Sequence, residues 1–173
     1  MIRLEPLTGH HDRRGFDCGS EALNAWLRGT ALQHQGKGIS RTFVAVPHDE
    51  DAAHAFRRAG YEGIGRTTIL GFYALAAALV LVDALPAQIA KRYPRQIPVT
   101  RLGRLAIRAD MQGQGLGRLL LADAVERARG AAQAVGSAGI FVDAKDLAAA
   151  QFYEHFGFRA CADSPLKLYR PLW

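Results

Sequence analysis

The sequence lacks the features of a membrane or secreted protein. Its longest apolar stretch, residues 74–82, ends at Asp83 and is far shorter than the roughly 20 residues that cross a bilayer. The first residues contain no apolar segment followed by a small-residue cleavage site. The two cysteines, Cys18 and Cys161, are too far apart for a disulfide framework or a metal-binding spacing. We therefore expect a cytoplasmic protein without membrane contact.

The sequence has fewer acidic than basic residues, with 16 Asp and Glu against 22 Lys and Arg. The formal net charge is +6. A basic surface attracts polyanions such as nucleic acid, an acidic partner or the phosphates of a cofactor. The alternative is a set of solvated arginines without a ligand. Charge alone leaves both interpretations open.

The 173 residues, 49% of them apolar, suit one globular domain. Strand-like and helix-like segments alternate, which predicts an α+β fold over residues 1–173. A long amphipathic helix is predicted from about Gly115 to Arg129. The polar, glycine-containing segment from His48 to Gly65 is predicted to be a connection.

The most informative segment is glycine-rich and precedes that long helix. A strand, Arg104–Arg108, is followed by a turn and by Gln112-x-x-Gly115-x-Gly117. The first turn of a helix has free backbone N–H groups and a positive dipole end, so it binds anions, and glycine lets the backbone approach a pyrophosphate. A Walker loop is excluded because no Gly-Lys-Ser/Thr follows, and the dinucleotide fingerprint is excluded because Arg118 stands where its third glycine belongs.

A similar glycine spacing occurs at Gly60–Gly65. There no apolar strand precedes the glycines, and a strand-like segment from Thr67 follows them instead of a helix. We therefore predict a hairpin loop at Gly60–Gly65 and not a second phosphate site.

Two motifs together resemble the GNAT acetyltransferase superfamily. The segment Gln112–Gly117 between a strand and a helix is similar to its acetyl-CoA signature, and Ala149–Phe158 is similar to its A-x-x-F-Y-x-x-x-G-F helix. The N-terminal half, with Phe16–Gly19, Leu23–Leu27 and Gly38–Val44, resembles the GNAT toxins of bacterial type II toxin–antitoxin pairs. The same holds for Gly71–Leu75, Ile97–Val99 and Leu102–Ala106. The clearest departure is a longer polar insert around His48–Tyr61.

The resemblance implies a single GNAT-type domain with a mixed central sheet, splayed parallel strands and flanking helices. It implies acetyl-CoA as co-substrate and no metal. Tyr153 becomes the candidate general acid, with a core aromatic role as the alternative. The residues expected to contact the cofactor are Leu105, Ala106, Ile107, Gln112, Gly113, Gln114, Gly115, Leu116, Gly117, Arg118 and Phe152.

The strand Arg104–Arg108 contains no carboxylate, although many GNAT enzymes place a general base there. A lysine side chain, with a pKa of about 10.4, would need a base, whereas an α-amine, at about 7.7–8.0, is already substantially neutral. An α-amine substrate therefore suits this site better. Asp110 and Asp143 remain alternative bases, with turn or helix-edge roles as the other interpretation.

Other nucleophile and metal sites are less well supported. Cys18 precedes a helix and could be activated there, but we expect a buried small residue. Adjacent His10 and His11, followed by Asp12, rarely converge on one ion, so a polar loop is expected.

The combined function prediction is acetyl transfer to the α-amine of aminoacyl-tRNA by a translation-blocking toxin. The alternative is a metabolic or protein N-acetyltransferase that acts on a small amine or a protein N-terminus. Resemblance implies two partners, a small DNA-binding antitoxin of the ribbon-helix-helix type and a second copy in a homodimer. The candidate RNA contacts are Arg41, Lys91, Arg92, Arg95 and Arg101.

Overall fold

The computed structural model describes residues 1–173, which form seven strands and six α-helices. Two short 3₁₀ turns lie at Val82–Ala84 and Ala109–Met111. In chain order the elements are β1 (Ile2–Pro6), α1 (Glu21–Gly29), α2 (Ala31–Gly36), β2 (Arg41–Pro47), α3 (Glu50–Arg58), β3 (Gly71–Leu81), α4 (Ala87–Ala90), β4 (Gln96–Ile107), α5 (Leu116–Val135), β5 (Gly139–Asp143), α6 (Leu147–His155), β6 (Arg159–Cys161) and β7 (Ser164–Pro171).

The strands form one mixed sheet in the order β1-β2-β3-β4-β5-β7-β6. The pairs β1/β2, β5/β7 and β6/β7 are antiparallel, whereas β4 and β5 are parallel. A parallel pair requires a crossover connection, and here α5 provides it. The predicted α+β class is therefore confirmed.

The parallel pairing is short. Thr100–Leu102 pair with Ile140–Val142, while β4 continues to Ile107. The last residues of β4 thus extend beyond its pairing with β5, in agreement with the splayed parallel strands that the resemblance implies.

The chain divides into two compact units, each with its own core. The first comprises residues 1–74 and 104–123. Its core packs α1 against strands β2 and β3: Trp26 lies parallel to Phe72 with ring centroids 6.1 Å apart, and Phe16 meets Phe72 edge-on at 5.4 Å. The second comprises residues 75–103 and 124–173. Its core joins Leu85 and Ile89 to Tyr169 and Cys161.

Burial changes the acidity of one of the two cysteines. Cys18 and Cys161 are free thiols and both are buried. Burial, with the negative charge of Asp163 nearby, raises the pKa of Cys161 to about 11.

The prediction of a single domain over residues 1–173 stays a prediction. No helix has the length and apolar character needed to cross a membrane.

Helix α3 corrects one prediction, because the segment His48–Gly65 contains regular structure. The Asp49 side chain caps the helix by accepting a hydrogen bond from Ala52 N at 2.8 Å. Acidic residues occupy the first turn and Arg57 and Arg58 the last, which suits the helix dipole. Arg57 also pairs with Glu50 at 2.9 Å. These capping and charge signals were present in the sequence, but the low apolar content obscured them.

The Gly60–Gly65 prediction is corrected in part. The segment follows α3 and leads to β3, so it is not a hairpin loop. Gly60 and Gly63 have φ of +104° and +74°, as a loop with glycine-dependent turns requires. No helix follows it, as predicted.

The close approach of β3, β4 and α5 depends on Gly71. A Cβ there would lie 2.8 Å from Leu120 Cδ1 and 3.0 Å from the carbonyl oxygen of Ala106. We expect Gly71→Ala to destabilise the protein by about 1–3 kcal/mol, since the strand backbones must move apart. The check is the midpoint of urea unfolding, compared with Gly103→Ala, where a Cβ meets no atom within 4 Å. Equal midpoints for both variants would show that the contact is not restrictive.

Candidate active site

The predicted phosphate loop forms a turn between β4 and α5. Gly113 and Gly115 have φ of +79° and +87°, a region that favours glycine. A Cβ at either position would meet no atom within 4 Å, so this side of the loop is open. Helix α5 has no acidic residue in its first turn, and Arg118 lies there exposed. The free N–H groups at this helix start therefore form a site for an anion. The helix begins near the predicted position but continues beyond the predicted end at Arg129 to Val135.

The side chain of Gln112 supports the loop and leaves its backbone available. Gln112 Nε2 donates to the carbonyl oxygens of Cys18 at 2.9 Å and Ile107 at 3.0 Å. Ala109 N donates to the Asp17 carbonyl oxygen at 2.8 Å. The segment before α1 therefore fixes the turn that leads from β4 into the loop. Sequence reasoning placed Gln112 at the start of the loop but did not identify this partner.

That supporting segment is itself locked by side-chain hydrogen bonds. Asn24 is buried, and its Oδ1 accepts from Cys18 N at 3.0 Å. Asp17 Oδ1 accepts from Gly19 N and from Asn24 Nδ2, each at 2.9 Å. The hydrogen bond from Gly19 N–H, with that from Asn24, lowers the pKa of Asp17. Cys18 is buried, as predicted, and contributes its backbone carbonyl to the loop.

A further contact comes from the polar insert. Tyr61, just after α3, exchanges hydrogen bonds with the Gln114 side chain at 2.9–3.1 Å. The Tyr61 ring rests edge-on against Phe56 at 6.2 Å. The insert therefore contacts the phosphate loop, which the sequence did not indicate because 52 residues separate the two positions.

The strand residues that are predicted to contact the cofactor lie at the end of β4. Ala106 is buried, while Leu105 and Ile107 are half-buried. The guanidinium of Arg104 lies over the Trp26 ring, 4.1 Å from its centroid, which ties this strand to α1.

The two alternative bases are both engaged by arginines. Asp110 forms a two-point contact with Arg108, at 2.8 and 3.0 Å. Asp143 pairs with Arg101. This arrangement favours the structural interpretation of both residues.

Tyr153 lies on α6 in the second unit and is buried. Its ring contacts Phe152 at 5.3 Å and Phe158 at 5.5 Å. Burial raises the pKa of its hydroxyl to about 12, so the hydroxyl keeps its proton at neutral pH. A proton donor needs that protonated state. Phe152 is half-buried and also contacts Phe156 at 5.1 Å.

The predicted RNA contacts are all exposed but do not share one element. Arg41 begins β2, whereas Lys91, Arg92 and Arg95 follow one another between α4 and β4. Arg101 is held by its ion pair with Asp143 and is less free than the others to meet a phosphate.

The adjacent histidines behave as a polar loop. His11 is buried, with Nε2 bonded to Glu5 Oε1 at 2.8 Å and Nδ1 accepting from Thr8 N at 3.0 Å. Both ring nitrogens are therefore used within the protein.

Comparison with known proteins identifies the family. Residues 76–160 match the family described as Acetyltransferase (GNAT) domain. The tRNA-acetylating toxin of Mycobacterium tuberculosis (strain ATCC 25618 / H37Rv) is 35% identical over 157 residues, which are 91% of this chain and 84% of that protein. The chain belongs to the GNAT acetyltransferases.

Solved structures agree with this GNAT assignment over almost the whole chain. AtaT complexed with acetyl-methionyl-tRNAfMet matches with a TM-score of 0.82 and 31% identity, covering 99% of this chain and 95% of that chain. A tyrosine-to-phenylalanine mutant of AtaT, bound to the C-terminus of the antitoxin AtaR and acetyl-CoA, matches with a TM-score of 0.75 and 28% identity. That match covers 99% of this chain and 93% of the AtaT chain.

The phosphate loop fits the co-substrate of a GNAT enzyme. Acetyl-CoA supplies the activated acetyl thioester and carries a pyrophosphate. The open loop, its two glycines of positive φ and the free amides at the start of α5 suit a pyrophosphate. The backbone of residues 112–118 would hold it, while the Gln112 side chain keeps the turn in place.

Gly115→Glu is expected to abolish acetyl-CoA binding, because a carboxylate would occupy the anion site and repel the pyrophosphate. Any side chain is strained at a φ of +87°, so Gly115→Gln serves as the matched control for strain and size. Calorimetry should show a weakened Gln variant and a further loss of roughly tenfold or more in the Glu variant. Equal affinities in the two variants would contradict a phosphate at Gly115.

Tyr153→Phe is expected to retain acetyl-CoA affinity and lose turnover by roughly 10²–10⁴-fold, because one hydroxyl is removed with almost no change in volume. Steady-state acetyl transfer, with cofactor affinity measured in parallel, provides the check. A rate within two- to threefold of wild type would assign Tyr153 to packing alone.

Proposed function

We propose that this GNAT enzyme acetylates the α-amine of aminoacyl-tRNA and thereby blocks translation as the toxin of a toxin–antitoxin pair. The observation that carries the proposal is the likeness over nearly the full chain to the Mycobacterium tuberculosis tRNA-acetylating toxin. The match to AtaT with acetyl-methionyl-tRNAfMet supports the same substrate class.

The ionisable groups around the predicted strand support an α-amine as acceptor. Asp110 and Asp143 are both paired with arginines, so neither carboxylate is a free group beside this strand. A lysine side chain would remain protonated without a base, whereas an α-amine is substantially neutral near pH 8. A substrate that supplies its own neutral nitrogen needs least from this site.

Tyr153 completes the proton balance of the reaction. The amine nitrogen bonds to the acetyl carbonyl carbon, the carbon–sulfur bond breaks, the nitrogen loses one proton and the sulfur gains one. Because the Tyr153 hydroxyl is protonated at neutral pH, it can donate to the departing sulfur. The nitrogen releases its proton to solvent, and the Tyr153 phenolate takes up one proton from solvent, which restores the hydroxyl.

The basic surface provides affinity for an RNA substrate. Arg41, Lys91, Arg92 and Arg95 are exposed and Arg101 is partly engaged, so the first four are the better candidates for phosphate contacts. The formal charge of +6 adds a long-range attraction to tRNA.

Two protein partners and a compartment belong to the same proposal. AtaT, a similar protein, has been solved bound to the C-terminus of the antitoxin AtaR. We expect a small DNA-binding antitoxin of the ribbon-helix-helix type, a homodimer and action on tRNA in the cytoplasm.

The decisive test is transfer of labelled acetyl from acetyl-CoA to a panel of charged tRNAs, with a small amine and an N-terminal peptide as alternative acceptors. Acetylation of aminoacyl-tRNA is the expected result. Efficient transfer to the small amine or peptide, with none to any charged tRNA, would identify the metabolic or protein N-acetyltransferase instead.

Binding of uncharged tRNA should weaken steeply as salt rises, because neutralised phosphates release counterions. Arg41→Ala and Arg95→Ala should each lower the slope of log affinity against log salt by roughly one. Arg129→Ala, at an exposed arginine paired with Glu126, is the control and should leave the slope nearly unchanged. A flat salt response in the wild type would remove the support that the basic surface gives to this function.

A further inference from the structure

A cavity in the second unit carries three arginines that the catalytic site does not use. It has a volume of about 350 Å³ and is lined by Arg92, Arg159 and Arg170, with Trp173, Gln88 and Gly157. We call it the arginine cavity. Only Arg92 among these residues was predicted from the sequence as an RNA contact.

Three separate elements bring the arginines together. Arg92 follows α4, with its backbone N–H bonded to the Ile89 carbonyl oxygen at 3.1 Å. Arg159 begins β6 opposite Tyr169, and Arg170 lies on β7 opposite Ile140. Gly157 lies beside Arg170, since a Cβ there would be in ordinary contact with Arg170 Nε at 3.7 Å. The sheet edge and the segment after α4 therefore present three cations to one space.

The charge of the cavity is not neutralised within the protein. No acidic residue lines it, and none of the three guanidinium groups is paired with a carboxylate. Arg159 makes one long hydrogen bond, of 3.4 Å, to Gln88 Oε1. A cleft lined by charges of one sign concentrates the electrostatic potential, and the forked guanidinium donors match the oxygens of a phosphate. This cluster of cations is therefore suited to an anion from outside the chain.

Trp173 indicates which anion fits. Its side-chain Nε1 donates to the Ser137 carbonyl oxygen at 2.9 Å, yet the residue is 71% exposed. An indole that is held in place with its face in solvent is suited to stack on a nucleic-acid base. Apart from Trp173, the apolar residues that line the cavity are Ile89 and Pro171. They do not form a hydrophobic groove of the kind that binds a protein helix. Phosphates with neighbouring bases match the cavity better than an acidic peptide.

We propose that the arginine cavity binds a single-stranded segment of RNA, with its arginines on backbone phosphate and the Trp173 ring on a base. The inference rests on the proposed function, because aminoacyl-tRNA is the RNA that this enzyme would meet. It assigns Arg159, Arg170 and Trp173 to substrate binding. The site differs from the phosphate loop, which lies in the first unit.

The test measures binding of a fluorescent oligouridylate of about ten nucleotides, within the site size of single-strand binders, and of uncharged tRNA over a salt series. Arg159→Gln and Arg170→Gln should each weaken both complexes several-fold and lower the salt slope by about one. Arg129→Gln removes the same charge from the same unit and should change neither quantity.

Trp173 variants separate stacking from charge. Trp173→Leu should weaken oligouridylate binding by roughly fivefold or more and leave the salt slope unchanged. Trp173→Phe keeps an aromatic face without the hydrogen bond to Ser137 and should retain most of the affinity. Acetyl-CoA affinity and the urea midpoint, measured on each variant, show that the fold is intact. If a folded Trp173→Leu protein binds as tightly as wild type, stacking is wrong.

Competition with polyglutamate distinguishes RNA from an acidic protein segment. If polyglutamate displaces the oligouridylate at equal charge concentration and Trp173→Leu has no effect, the cavity binds carboxylates and the proposal is overturned. Acetyl transfer to charged tRNA, run in parallel, distinguishes failure of the cavity proposal from failure of the proposed function.

If the wild type acetylates charged tRNA and the arginine variants bind RNA as tightly as the wild type, the cavity proposal alone is rejected. Loss of RNA binding in those variants, with no transfer by wild type to any charged tRNA, would reject the proposed function alone.

Discussion

The candidate acetyl-CoA site depends on the hydrogen bonds that join the segment before α1 to the turn after β4. Asp17 and Cys18 offer carbonyl oxygens to Ala109 N and Gln112 Nε2, and Asn24 holds that segment in position. A glycine-rich loop has many accessible conformations, and ordering it on binding costs conformational entropy. Here much of that ordering is provided by contacts within the folded protein. The loop can therefore present its amides without depending on the cofactor to organise it.

Charge is distributed in two ways around the chemistry. At the predicted active strand and its neighbour, acids are neutralised: Asp110 pairs with Arg108 and Asp143 with Arg101. In the arginine cavity, cations have no acid partner. The first arrangement engages both carboxylates in ion pairs and favours an acceptor that needs no base. The second attracts a polyanion to the protein. The arginines thus contribute to two separate parts of the proposed reaction, the choice of acceptor amine and the attraction of RNA.

Local signals in the sequence predicted much of the fold. The loop before α5 and the α6 motif combine glycine positions, a preceding strand and an amphipathic helix, and these features are read over short distances. Helix α3 was missed because its stability comes from the Asp49 cap and end charges, while its apolar content is low. The Tyr61–Gln114 contact and the Gln112–Cys18 contact join positions far apart in the chain. The arginine cavity likewise depends on the register of β6 and β7 and on where the segment after α4 lies, neither of which spacing reveals.

The burial of both cysteines has a practical consequence. Both cysteines are more than nine-tenths buried, and the pKa of Cys161, raised to about 11, keeps that thiol protonated near neutrality. Buried, protonated thiols react slowly with electrophiles and disulfide reagents. The coenzyme A released during turnover can therefore be measured continuously with a colorimetric thiol reagent. The enzyme's own thiols should contribute little signal, and the reagent should not inactivate the enzyme. The same property should let the protein be purified and stored in air without reducing agent.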